Sequence, residues 1–226
     1  MIDYYTAKSL GGNTRKVSIM LAEAALEHVI YFVDLDRGEQ HQPWYLALNA
    51  NGKIPAIVDH DCPGGLQLAE SGAILVYLAE KTGRFLPSSG PTRARVLEWL
   101  FWQSSSLGPM AGQWNYFQHV APERVPFAIA RYRDECARLL GVLDHQLSAH
   151  EYVAGDYSIA DMMLYSWALP VYRGVRQTTV PAGDRQLADL ERWLALVQGR
   201  PAVELAMSRY EGSASRVGRD VEAPLR

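Results

Sequence analysis

Between Thr82 and Arg93 the chain changes its period, and that change limits the folds open to it more than any other feature. Upstream, short β-branched or aromatic runs alternate with stretches of helical spacing; downstream, no convincing strand occurs. The intervening RFLPSSGPT (Arg84 to Thr92) is a linker by composition, and Gly83 before it suits a helix end. Two domains are expected: an α/β unit over 1–83 and an all-α bundle over 93–208, joined by 84–92. Residues 209–226 are polar, bear Gly, Ser and Arg, and have little to bury; they read as a mobile tail.

Within the first part, Ile2 to Ala7 reads as a strand and Asn13 to Leu26 as a helix capped by Asn13. Val17, Met20, Leu21, Ala24 and Ala25 fall on one face of that helix. Val29 to Leu35, Ile54 to Val58 and Leu66 to Ala69 read as strands, Pro43 to Leu48 as a helical turn, and Glu70 to Lys81 as a helix. The order β-α-β then β-β-α makes an α/β sandwich. In the second part a helix through Arg93 to Met110 bends near Gly108-Pro109. Tyr132, Cys136, Leu139, Leu140, Leu143 and Leu147 share a helix face, and 184–197 and 202–207 are further helices.

Charge excludes some functions. With 22 basic and 25 acidic residues the net charge is −3, and no general nucleic-acid surface is expected. No apolar run is long enough to span a membrane, and no basic-then-apolar leader opens the sequence, so a cytoplasmic protein is expected. The two cysteines, Cys62 and Cys136, form no dithiol or metal motif, and the histidines lack ligand spacing; no metal is expected.

Three motifs remain. In NGKIPAIVD (Asn51 to Asp59), a cis Ile54–Pro55 bond would free the Ile54 backbone to pair with an extended peptide; a trans proline opening a strand is the plainer reading. In LAESGAIL (Leu68 to Leu75), Glu70 and Ser71 sit where a strand meets a helix. The helix start and the Ser71 hydroxyl suit a carboxylate, and Glu70 suits an ammonium, as in an amino-acid head group; simple capping is the plainer reading of this motif alone. In YSIAD, Ser158 and Asp161 have capping-box spacing and a structural role. Arg15 and Lys16 lie near the positive end of the first helix, where they either add potential for an anion or point to solvent.

Together and in this order, KIPAI, ESGAI, VPFAIARY and SIAD resemble the glutathione transferase superfamily, over about residues 1–208. IPAIVDH, LFWQ, LGPM and YSIAD are most similar to its bacterial Nu-like group of glutathione-dependent disulfide-bond oxidoreductases. The resemblance implies a thioredoxin-like N-terminal domain that binds glutathione, and an all-α C-terminal domain. It implies a homodimer acting on glutathione and a small disulfide or electrophile. Carried over by position, Glu70 and Ser71 take the γ-glutamyl head, Ile54 beside cis Pro55 pairs with the cysteinyl backbone, and Gln40 and Lys53 reach the glycine end. Arg131 is a helical-domain contact to glutathione, and Asn13 stands beside the thiol. The turn before Asn13 is longer than the group's, which leaves Ser9 second and Thr6 third as thiol activators, with Tyr4 possible by type and Tyr5 assigned to packing. Gln113, Trp114 and Phe117 are expected to line a second-substrate pocket. Disulfide reduction is the preferred activity, with conjugation to electrophiles or a non-catalytic binding role as alternatives.

Overall fold

The computed structural model describes residues 1–8, 11–177, 187–208 and 216–217. They divide into two compact units: Met1–Arg84 with the described residues from Arg200 onward, and Phe85–Gly199.

The first unit runs β1 (Ile2–Thr6), α1 (Gly12–Glu23), β2 (His28–Phe32), α2 (Pro43–Leu48), β3 (Ala56–Asp59), β4 (Leu66–Ala69) and α3 (Ser71–Thr82). β1 lies inside the sheet, parallel to β2 and antiparallel to β3, and β4 pairs antiparallel with β3. Its five residues are all buried, and alternate side chains serve opposite layers. On one face the Tyr4 hydroxyl donates to the Thr14 carbonyl at 2.7 Å, fixing α1 to the strand. On the other, Tyr5 stacks on Tyr31 at 5.0 Å and packs with Val33, Tyr45, Leu48 and Ala56 beneath α2.

Two boundaries of α1 differ from expectation. Gly11, not Asn13, is the N-cap, and the helix ends at Glu23 rather than Leu26. Ala25 takes a left-handed φ of 53°, so Ala24 and Ala25 leave the buried face that their spacing suggested.

The final helix, α9 (Pro201–Ser208), was expected in the helical domain; it packs on α1 in the first unit instead. Val203 and Ala206 are each 1% exposed, and the Arg200 guanidinium grips the Glu23 carboxylate at 2.6 and 3.1 Å. A helix with an apolar stripe must cover some surface, and α1 supplies it. The proposed tail lies outside the described residues except Arg216–Val217, which pair in parallel with Tyr31–Phe32 as β5 and so are strand rather than mobile tail.

The second unit comprises α4 (Gly90–Trp102), α5 (Gly108–His119), α6 (Pro126–Leu147), α7 (Ile159–Gln177) and α8 (Ala188–Gln198). Helix α4 takes in the last three linker residues, because Pro91 fits a first helical turn. Where a bend was expected at Gly108-Pro109, a π-helical stretch at Gln103–Leu107 separates α4 from α5. Cys136, Leu139, Leu140, Leu143 and Leu147 form the buried stripe of α6. The capping box is present in its Asp161 half: the carboxylate accepts from the Ser158 and Val153 amides, both at 3.0 Å, and from Trp193 Nε1 at 2.9 Å, while Ser158 Oγ accepts from the Ala160 amide at 3.3 Å. Burial raises the Asp161 carboxyl to about 6, against the pull of those donors.

At the far end of β3, Asp59 is completely buried and accepts from Tyr77 at 2.6 Å and Lys81 Nζ at 2.7 Å. Burial opposes its charge, but those two donors hold the carboxyl below the ordinary range. Asp61, paired with the N-terminal ammonium and Lys81, is lowered to about 2. Carboxyls lowered in the folded state stabilise it above their unfolded pKa of about 3.9, and that stability is lost as pH falls through the folded values. Denaturant titrations are expected to show stability dropping from about pH 4 toward pH 2. Lys81→Met should cost about 3 kcal/mol at neutral pH, by leaving the Asp59 carboxylate buried without its cation, and should flatten the acid dependence.

Candidate active site

Strand register gathers the site. Thr6 pairs with Phe32, Tyr5 with Ala56, and Ala56 with Ala69. The C-terminal ends of β1, β2 and β4 and the N-terminal end of β3 therefore share one edge of the sheet. Four segments leave that edge: the turn into α1, the loop carrying Gln40, the Lys53–Ile54–Pro55 approach to β3, and Glu70–Ser71 at the start of α3.

Each segment is locally fixed. The Ile54–Pro55 bond is cis, as the resemblance implied. The β1–β3 ladder begins at Ala56, so the Ile54 backbone stands outside it. The Lys53 carbonyl is held from below by the Tyr45 hydroxyl at 2.8 Å and Asn49 Nδ2 at 2.6 Å. Gly52, at φ 61°, lies so close to the Gln40 loop that an added Cβ would meet the Gln40 carbonyl at 3.1 Å and His41 Nδ1 at 3.0 Å. Only glycine fits there, and it brings Gln40 and Lys53 into neighbouring loops. The Gln40 side-chain oxygen is buried without a hydrogen-bond partner, a costly state that a donor from a ligand would relieve.

Glu70 joins β4 to α3 in a single residue, at φ 65° and ψ 112°. A non-glycine residue rarely holds that conformation, and it costs of order 1–3 kcal/mol. Its carboxylate is exposed, while Ser71 is 7% exposed. Behind Ser71 lies Lys16: 2% exposed, with Nζ 3.4 Å from Ser71 Oγ. Burial pushes the Lys16 ammonium down to about 7, with Glu70 acting in the opposite direction. Of the two readings of Lys16, the solvent-facing one does not hold; Arg15 is half-buried. Lys16 was missed because α1 was assigned one buried face, whereas α3 and α9 both pack against it.

At the start of α1, Gly12, Asn13 and Thr14 form the first turn, and no acidic side chain lies in it. Asn13 is exposed at the second helical position. Such a helix start presents open N–H groups to an anion. Tyr4 is removed from the activator candidates, because its hydroxyl is committed under α1. Tyr5 is in the aromatic cluster as expected. Thr6 is completely buried. Ser9 lies outside the described residues.

In the second unit, Arg131 on α6 and Gln113 on α5 are exposed. Phe117 stacks on Tyr132 at 5.7 Å. Trp114, expected in a pocket, is 9% exposed and fills the space above Gly174 of α7, where an added Cβ would meet its ring at 2.9 Å. It is a core residue.

Residues 12–81 match the family model for the glutathione S-transferase N-terminal domain. The chain is 42% identical over 221 residues to the disulfide-bond oxidoreductase YfcG of Escherichia coli, spanning 93% of this chain and 96% of that protein. It belongs to the glutathione transferase superfamily. Escherichia coli YghU, also a disulfide-bond oxidoreductase, is 38% identical over 85% of this chain and 69% of its own length. A crystal structure of a Pseudomonas putida glutathione transferase with one glutathione disulfide bound per subunit superposes with a TM-score of 0.83, at 38% identity, covering 91% of this chain and 90% of that one. A Burkholderia graminis glutathione transferase with two glutathione molecules per subunit gives 0.83 at 35% identity, covering 94% and 89%.

The backbone at Glu70 allows a direct check. Glu70→Gly removes the left-handed strain and is expected to raise unfolding free energy by about 1 kcal/mol. A drop in stability would show that the Glu70 side chain, not its backbone, governs this junction.

Proposed function

We propose that the protein is a glutathione-dependent disulfide-bond reductase. The observation that carries this reading is the convergence of four segments at one sheet edge, set by the Tyr5–Ala56–Ala69 register. An amino-acid head group finds Glu70 for its ammonium, and Ser71 with the first amides of α3 for its carboxylate. The cysteinyl backbone pairs with Ile54, in the manner of a strand added to an edge, beside Pro55. Gln40 and Lys53 take the glycine end; the buried Gln40 oxygen accepts a donor and the exposed Lys53 ammonium meets the carboxylate. These anchors place the thiol toward the start of α1 and Asn13.

A free thiol has a pKa of about 8.5 and is mostly protonated at neutral pH, whereas the thiolate is the nucleophile. The α1 amides, its dipole and the Asn13 amide favour the anion. The bound thiolate attacks one sulfur of a disulfide; an S–S bond forms to glutathione as the original one breaks, and the leaving thiolate takes a proton from water. A second glutathione then attacks the mixed disulfide, yielding glutathione disulfide and the second free thiol. The similar structures hold one glutathione disulfide or two glutathione molecules per subunit, the two states that this exchange connects. Arg131, Gln113 and Phe117 enter the proposal by resemblance, as contacts of the helical unit to glutathione and the second substrate, and so do the homodimer and the cytoplasmic location.

Purified protein is expected to catalyse glutathione-dependent reduction of bis(hydroxyethyl) disulfide, followed through coupled glutathione reductase. Asn13→Ala should lower turnover about a hundred-fold with glutathione affinity little changed. Unchanged turnover would remove Asn13 as the activator. Turnover with electrophilic carbon substrates alone would make the protein a conjugating transferase.

A further inference from the structure

Lys16 has no part in the binding scheme above, yet it is among the most deeply buried side chains of the chain and points its ammonium at that scheme's central hydroxyl. Lys16 is 2% exposed, and its Nζ lies 3.4 Å from Ser71 Oγ. A lysine ammonium has three donors and no acceptor; a serine hydroxyl has one donor and two acceptor lone pairs. When Lys16 donates into the Ser71 oxygen, the serine proton must be given elsewhere. A hydroxyl that already accepts from a cation is also a stronger donor, since chained hydrogen bonds polarise one another. The contact is at the long end of the hydrogen-bond range.

We propose that Lys16 is a positioning residue for the anion held at the start of α3: it fixes the Ser71 hydroxyl as a donor toward the α-carboxylate of the γ-glutamyl head and adds buried positive charge behind it. This assignment rests on the glutathione reading of the site. It separates two tasks along α1. Asn13 and the first turn favour the thiolate, whereas Lys16, one turn on, serves the opposite end of the same ligand through α3. The burial that weakens the ammonium also makes it responsive to a nearby anion, because little solvent screens the pair. Glu70, the other charge acting on Lys16, holds the ligand's ammonium in this scheme, so the head group meets a matched pair of charges.

A double-mutant cycle of Lys16→Met, Ser71→Ala and the double variant tests this. The readouts are calorimetric binding of glutathione, and KM and kcat for glutathione and for cysteinylglycine, which lacks the γ-glutamyl group. Lys16→Met is expected to weaken glutathione about ten-fold, to raise KM for glutathione more than it lowers kcat, and to leave the KM for cysteinylglycine unchanged. In the Ser71→Ala background it should add little further loss. Equal losses for both thiols, or full additivity with Ser71→Ala, would show a merely structural role and overturn the proposal. If Lys16→Met does not fold, Lys16→Gln takes its place, with the same loss expected for glutathione and none for cysteinylglycine. Wild-type protein that binds no glutathione would overturn the reading of the whole site; wild type that binds it as tightly as Lys16→Met does would overturn only the role of Lys16.

Discussion

The site depends on backbone pairing of β1. This strand is hydrogen-bonded on both sides and buried along its whole length, which leaves it one register. A slip by one residue would turn Tyr4 and Tyr5 to the wrong layers: the hydroxyl of one would enter an aromatic cluster, and the ring of the other would lie under α1. Because β3 and β4 are paired outward from β1, the same register decides where Pro55 and Glu70 emerge. The residues proposed to hold glutathione come from four separate stretches, and no contact among their side chains is needed to bring them together. The sheet does it.

On that frame the first unit spends stability at the edge proposed to bind glutathione and recovers it elsewhere. Glu70 holds a strained backbone, burial works against the Lys16 ammonium, and the Gln40 oxygen has no donor. Each is unfavourable in the free protein, and each is of the kind that an amino-acid-like ligand offsets. At the opposite edge the buried Asp59 carboxylate is offset by its partners. There Asp59, Tyr77, Lys81, Asp61 and the N-terminal ammonium are joined in one network. Arg200 and Glu23 fasten α9 to α1. A site that is poor in mutual satisfaction, on a scaffold that is rich in it, is how a small domain can hold a polar ligand without giving up its fold.

Much of this was legible in the sequence. The strands around Tyr4, Ile57 and Leu68 and the stripe of α6 follow from period, and the capping box of α7 follows from the spacing of Ser158 and Asp161. The motifs at Pro55 and Glu70–Ser71 each allowed a ligand-binding reading beside a structural one, and only their order along the chain, through the family resemblance, favoured the first. What was not legible came from tertiary packing. Asn13 is a better cap than Gly11 by residue type, but the chain enters α1 two residues earlier. Local spacing could not show that α9 returns to cover α1, since its partner lies far away in the sequence. Nor could it show that α3 packs on α1 and brings Ser71 against Lys16. Aromatic density on α5 suggested a pocket, yet Gly174, by lacking a side chain, lets Trp114 sink into the core.

Disulfide reduction at this site requires that the start of α1 hold the sulfur of bound glutathione as a thiolate. The most direct measurement is the ultraviolet thiolate absorbance of glutathione bound to the protein, titrated against pH. The predicted result is a thiol pKa at least one unit below the free value of about 8.5, and a return toward that value in Asn13→Ala. A bound thiol that titrates like free glutathione in the wild-type protein would contradict the account.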